Sequence, residues 1–192
     1  MNARSIALAI TFAAIAIALN VVKIPTIYWP GWSYHFNEIP IVIAFMLFGP
    51  KIGILVGVIH LTGQELLFPT GPAGIVAYPM GFIALLLMLS GVYLANWFIS
   101  RRTSPDKPFS EKRRSVYLTA FSTASRGAIM PFLTYGVMYH VLLPLVLGIN
   151  VPETNVMALV PSFILYNVTV PLYTIPIAYF TATEVNKSLR IE

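Results

Sequence analysis

The sequence predicts an all-α integral membrane protein, a bundle of six transmembrane helices with both termini in the cytoplasm. Of its 192 residues, 57% are hydrophobic and only 10% are charged, whereas a soluble domain carries about 25% charged residues. The apolar residues form long runs divided by short polar segments, as membrane spans of about 20 residues would. Most basic residues lie in the polar segments beside these apolar runs, as membrane topology would require.

The composition also limits the domain organisation and the partners. A mean hydropathy of +0.78 leaves little chain for a soluble domain, so we expect a single membrane domain over residues 1–192. The protein is then a multi-pass protein of the cell membrane, with the lipid bilayer as its solvent. The net charge of +5 follows from the loop residues and does not indicate a nucleic-acid partner. The lack of cysteine excludes disulfides and thiolate metal sites.

Six spans follow in order along the chain. The first, at residues 5–22, comes after Arg4 and is interpreted as a retained helix, because no clear small-residue cleavage site precedes Pro25. The second is short, since Gly49 and Pro50 interrupt it, and is marginal for crossing a bilayer. The remaining boundaries come from the extent of each apolar run. The predicted spans are residues 5–22, 39–48, 52–67, 74–99, 116–147 and 156–180.

The hydrophilic segment at residues 100–115 determines the predicted topology. Its basic residues outnumber its acidic ones, Asp106 and Glu111. Arg4, Lys51 and the basic C-terminal tail fall on the same side of the predicted bundle, whereas the turn at 148–155 has no Lys or Arg. Because cytoplasmic loops are enriched in Lys and Arg, both termini are placed in the cytoplasm. The basic residues of the segment are Arg101, Arg102, Lys107, Lys112, Arg113 and Arg114.

Aromatic residues are dense in the predicted external loop at residues 23–38. Flat rings with nearby amides suit a planar heteroaromatic ligand, which stacks on the rings and hydrogen-bonds at its edge. An interfacial aromatic belt is the alternative explanation. Tyr166 and Tyr173 are further aromatic residues that could lie on this side. The candidate ligand-binding residues in this group are Trp32, Tyr34, Phe36, Asn37, Tyr135, Tyr139 and Asn167.

Polar side chains within the spans are further candidates, because such groups are costly at membrane depth. His60 shares a helix face with Gln64 and could contact a ligand, but a metal site would need more ligands and none is predicted. Glu38 either contacts the ligand or caps the second span. Arg126 lies about 15 Å of helix rise into the fifth span. It either contacts an anionic or carbonyl-rich ligand or a partner, or is satisfied by helix carbonyls.

No catalytic motif accompanies these residues. The sequence has no GxxxxGK[ST] loop, no HExxH pair and no GxSxG elbow, so we do not expect an enzyme, and a partner would supply energy for transport. An intramembrane enzyme that uses Glu38, His60 and Glu65 as acid and base is the alternative of a different class. A purely structural membrane subunit is a third.

Three segments together resemble the substrate-binding S component of energy-coupling factor (ECF) vitamin transporters. RSIALA at 4–9, with Ala13, is similar to the alanine-rich first helix of that family. YHFNEIP at 34–40 leads to LFGP at 47–50 and Gly53, similar to the family's first loop and the segment after it. VLLPL lies at 141–145. Segments 35–40 and 141–145 are most similar to the riboflavin type.

The resemblance implies a six-helix S component that binds a vitamin in an outward-facing cavity closed by the first loop. It implies assembly with an ECF transmembrane coupling subunit and two ATPase subunits, with Ala9 and Ala13 docking on the coupling subunit. Riboflavin is the expected transported ligand, and no cofactor is expected. Another vitamin, pantothenate or a thiamine precursor, is the alternative.

Overall fold

The computed structural model describes residues 3–26, 33–69, 71–103 and 109–189. Apart from connecting segments and one small hairpin, these residues form helices. In the hairpin, strand β1 (Lys23–Pro25) pairs antiparallel with β2 (Ser33–His35). A short 3₁₀ turn, Gly71–Ala73, precedes the fourth helix, and a π-helical segment, Met138–Val146, continues the fifth. The helices are α1 (Ala3–Leu19), α2 (Glu38–Phe48), α3 (Pro50–Leu67), α4 (Gly74–Arg102), α5 (Glu111–Val137), α6 (Glu153–Met157) and α7 (Val160–Leu189).

Local chemistry explains two of the helix boundaries. Gly49 has φ of +88°, a left-handed conformation that glycine adopts without steric cost. Pro50 then takes the first position of α3, where a backbone N–H would have no helical partner. At the start of α5, the hydroxyl of Ser110 accepts a hydrogen bond from the Arg113 N–H at 3.4 Å, which caps the helix. One helix therefore ends at Phe48 and the next begins at Pro50.

The helices pack in two groups that share one core. Helix α5 packs against α4 on one side and α7 on the other, while α1, α2 and α3 contact one another and α2 also contacts α7. Small residues allow close packing: a Cβ on Gly53 of α3 would lie 2.5 Å from the Cβ of Phe45 on α2. The fully buried core side chains include Ile41, Val42, Val56, Met88, Val92, Leu118, Phe163 and Ile175.

The alanines of α1 belong to this core. Ala9 and Ala13 are fully buried within the chain, together with Ala16. The predicted docking of a coupling subunit on Ala9 and Ala13 is therefore not supported by their position, because the chain's own helices already cover them.

Three helical segments of the described chain are long and apolar enough to cross a membrane: Gly71–Arg102, Glu111–Val146 and Glu153–Ser188. Helices α1 and α2 are apolar but shorter. Large apolar side chains are exposed on the outside of the bundle, among them Ile10, Phe132 and Leu145, as expected of surfaces that face lipid. The predicted all-α membrane class is confirmed. The count of six spans, their division of the chain and the side of the termini stay predictions.

Candidate ligand-binding site

A cavity of about 380 Å³ lies between α2, α3, α4, α5 and α7, with strand β2 also contributing to its wall. Its volume is within the range of small-molecule sites. Apolar residues form much of the wall, among them Ile41, Leu61, Val76, Met80, Phe82, Leu85, Met130, Val137, Met138, Leu142 and Val170. The polar residues of the wall are Ser33, His35, Asn37, Glu38, His60, Gln64, Tyr78, Arg126, Thr134, Tyr166, Asn167 and Tyr173.

An ion pair between α5 and α2 lies in the cavity wall. Arg126 Nη1 donates to Glu38 Oε2 at 2.6 Å, and only 2% of the Arg126 side chain is exposed. Arg126 Nε donates to the side-chain oxygen of Asn167 on α7 at 3.1 Å, and Asn167 Nδ2 donates to the Phe163 carbonyl at 2.9 Å. An unpaired charge would be costly at this depth, so Glu38 compensates Arg126. The network joins three helices.

A second polar contact joins the start of α2 to α3. Asn37 Nδ2 lies 3.2 Å from Nε2 of the buried His60. The Asn37 side chain therefore does not cap α2. The carboxylate of Glu38, in the first turn of α2, accepts a hydrogen bond from Arg126 in the cavity wall. The position of Glu38 therefore fits a cavity-lining residue better than a helix cap.

Two tyrosines of α7 hold the hairpin against the bundle. The Tyr166 hydroxyl donates to the Ser33 carbonyl at 3.2 Å, and the Tyr173 hydroxyl donates to the His35 carbonyl at 2.8 Å. The ring of Tyr34 stacks on Tyr166, with centroids 5.3 Å apart and planes 9° apart. Burial lowers the pKa of His35, and the nearby positive charge of Lys23 lowers it further.

The structure brings four of the predicted site residues together. Asn37, Glu38, His60 and Asn167 all line the cavity. The predicted Trp32 lies outside the described residues.

Two of the predicted aromatics pack behind the cavity wall. Tyr34 contacts Tyr166 and Tyr173, and Phe36 packs edge-on against Tyr173 with centroids 5.8 Å apart. Neither lines the cavity. Their role in this structure is to support the tyrosines that do line it.

Tyr135 and Tyr139 do not line this cavity, and their contact with a ligand stays a prediction. They stack on each other at 6.2 Å, and the Tyr135 hydroxyl donates to Glu153 at 2.5 Å. The cavity face of α5 is instead formed at i, i+4 and i+8 by Arg126, Met130 and Thr134. Tyr135 follows Thr134 by one residue, which rotates its side chain about 100° away from that face.

The wall also contains residues that the sequence left out of the predicted pocket. One face of α7 carries Tyr166, Val170 and Tyr173, at positions i, i+4 and i+7. The spacing of the two tyrosines from each other, seven residues or two helical turns, is the signal that could have grouped them. Arg126 stood out as a buried charge, but nothing in the sequence indicated that Glu38 is its partner.

The arrangement needed for the enzyme alternative is not present among the described residues. Glu65 does not line the cavity, and Glu38 and His60 are engaged by Arg126 and Asn37. Within residues 3–26, 33–69, 71–103 and 109–189, no group of three His, Cys, Asp or Glu side chains could hold a metal ion.

Comparison with known proteins identifies the fold. No protein-family model and no curated protein matches the chain. Among solved structures, the chain is similar to the S component of a bacterial ECF transporter, with a TM-score of 0.71 and 20% sequence identity. The alignment covers 97% of this chain and 97% of that chain. The protein therefore has the fold of an ECF S component over nearly its whole length, as the sequence predicted.

Proposed function

We propose that this chain is the substrate-binding S component of an ECF importer in the cell membrane and that its ligand is riboflavin. The observation that carries the proposal is the cavity of about 380 Å³, lined by rings and a few polar groups, within a chain of this fold. In this role the chain is a binding subunit and not an enzyme.

The charge of the wall favours an uncharged ligand. Arg126 and Glu38 are the only lining residues of the described chain that belong to the Lys, Arg, Asp and Glu types, and they pair with each other. A carboxylate such as pantothenate would find no uncompensated cation there, and desolvating it would be costly. Riboflavin is neutral and does not meet this cost.

The composition of the wall favours a planar ring system. Phe82, Tyr166 and Tyr173 supply aromatic faces, and Met80 and Met138 supply adaptable apolar contacts. A thiamine precursor would also suit part of this lining. Identifying the molecule that the purified protein retains decides between riboflavin and a thiamine precursor.

The remaining parts of the proposal concern topology and assembly. Six spans with both termini in the cytoplasm would leave the cavity open toward the exterior, beneath the β1–β2 hairpin. The energy would come from a transmembrane coupling subunit and two ATPase subunits, because the sequence has no phosphate-binding loop of its own.

Small molecules retained by the purified protein test the ligand. We expect mass spectrometry of a solvent extract to detect riboflavin, and the protein to show a flavin absorption spectrum. A matched pair of variants tests the cavity: Gly81→Leu adds a side chain to the wall, and Gly136→Leu adds one where there is also open space but away from the cavity. Retention should fall only in Gly81→Leu. A colourless protein that does not quench riboflavin fluorescence would exclude riboflavin as the ligand.

A further inference from the structure

The Arg126–Glu38 pair uses only part of its hydrogen-bonding capacity. Arginine and carboxylate often pair through two parallel bonds, but here a single bond joins Nη1 to Oε2, and Nε is turned to Asn167. Among the described residues, no hydrogen bond reaches Arg126 Nη2 or Glu38 Oε1. The pair therefore presents a donor next to an acceptor.

Both groups belong to the cavity wall and are mostly shielded from bulk water, with 2% of the Arg126 side chain and 16% of the Glu38 side chain exposed. Neither Arg126 Nη2 nor Glu38 Oε1 is among the fully buried polar atoms without a partner, so both are open to the cavity. A ligand that displaces solvent from them loses affinity unless it offers an acceptor next to a donor. It must also be uncharged, because the charges of the pair already compensate each other.

We propose that Arg126 and Glu38 together recognise an uncharged ring amide, a carbonyl directly bonded to an N–H within a planar ring. The carbonyl accepts from Arg126 Nη2, and the ring N–H donates to Glu38 Oε1. Asn167 is a positioning residue, since its bond to Nε fixes the plane of the guanidinium. The inference rests on the proposed function and names the chemical group that the site reads, which the flavin ring contains.

Two measurements test it. The first compares riboflavin with riboflavin methylated at ring N3 on the wild-type protein by fluorescence quenching. The methyl group removes the N–H and leaves Glu38 Oε1 unpaired, so binding should weaken about 100-fold. This comparison needs no variant and does not depend on how a mutant folds.

The second measurement uses the double variant Arg126→Met with Glu38→Met. Replacing both members of a buried ion pair by apolar residues usually preserves folding, so thermal stability should stay close to wild type. Riboflavin binding should fall about 100-fold, and the preference over the methylated flavin should disappear. The matched control is Lys187→Met with Glu111→Met, an ion pair of 3.3 Å at the protein surface, and it should bind riboflavin as the wild type does.

The results separate the inference from the proposed function. Equal binding of the two flavins, or undiminished binding by the Arg126→Met, Glu38→Met variant, would overturn the ring-amide site and leave the importer role intact. A retained molecule that is another uncharged ring amide, lost in the double variant, would overturn riboflavin and support the site. A retained anion would overturn the site, and a protein that neither retains a small molecule nor quenches the fluorescence of added riboflavin would overturn both.

Discussion

Gly91 lies where α4 packs directly against the backbone of α5. A Cβ at this position would overlap the Cα and N of Ser122 and the carbonyl carbon of Phe121. Backbone atoms of a packed helix cannot rotate away as a side chain can. We therefore expect Gly91→Ala to destabilise the protein by about 1–3 kcal/mol, seen as a lower apparent Tm in detergent.

The matched control for this prediction is Gly136→Ala on α5. A Cβ there would meet nothing within 4 Å, and alanine is favoured over glycine in a helix by about 0.5–1 kcal/mol. Its Tm should be equal to or above that of wild type. Equal losses in both variants would show that the close contact of α4 and α5 does not limit stability.

We expect His35 to make the docking of the hairpin depend on pH. Its Nδ1 is buried without a hydrogen-bond partner among the described residues, and burial lowers its pKa below 6.5. Above 6.5 the histidine is neutral and the docked hairpin keeps its full stability. As the pH falls through 6.5 toward the lowered pKa, the undocked hairpin binds the proton more readily, so stability is lost.

Hydrogen exchange at the backbone amides of residues 33–35 measures this effect. After correction for intrinsic rates, protection should decrease when the pH is lowered from about 7.5 to about 5. His35→Gln should reduce that dependence, whereas the exposed His140→Gln should not. If the dependence is unchanged in His35→Gln, another group is responsible.

At the scale of elements, α7 is the helix that holds the hairpin in place. Tyr166 and Tyr173 lie on one face and bind the carbonyls of Ser33 and His35. Phenylalanine at both positions would keep the rings but remove both hydrogen bonds, each worth about 1 kcal/mol. The double variant Tyr166→Phe with Tyr173→Phe should release bound flavin about 5 to 30 times faster.

Stopped-flow flavin fluorescence measures this release rate. The control is Tyr135→Phe, which removes a hydroxyl that binds Glu153 away from the cavity. Its release rate should equal that of wild type. Unchanged release from the double tyrosine variant would mean that the hairpin does not limit the exit of the ligand.

The sequence predicts some elements well because their signals are local. Gly49 and Pro50 end one helix and begin the next through their own backbone chemistry. The hairpin was not predicted, since strands of three residues are too short for a pattern. Its docking depends on tyrosines more than 130 positions away.

The faces of helices were harder to predict than their bounds. Tyr135 and Tyr139 are one turn apart and do share a face, but that face is turned away from the cavity. In a soluble helix, the contrast between apolar and polar sides would orient it. A helix in lipid is apolar on most sides, so this contrast is weak.

At the scale of the whole molecule, the sequence predicts the class and the fold but not the pairing of distant groups. Arg126 and Glu38 are 88 positions apart, and each alone had a local explanation. For Ala9 and Ala13, the small side chains suggested contact with a partner protein, but they are buried against other helices of the same chain. In both cases the tertiary arrangement of helices decides the role of the residue.

The topology of the whole bundle can be tested directly because the chain contains no cysteine, so a single introduced cysteine gives a single label. The basic segment that includes Lys112 should be cytoplasmic and the turn that includes Asn150 external, since Lys and Arg are enriched in cytoplasmic loops. A membrane-impermeant maleimide added to intact cells should label Asn150→Cys, whereas Lys112→Cys should react only after the membrane is permeabilised. The reverse pattern would place the hairpin and the cavity beneath it on the cytoplasmic side, where they could not capture a ligand from outside, and the import function would then be excluded.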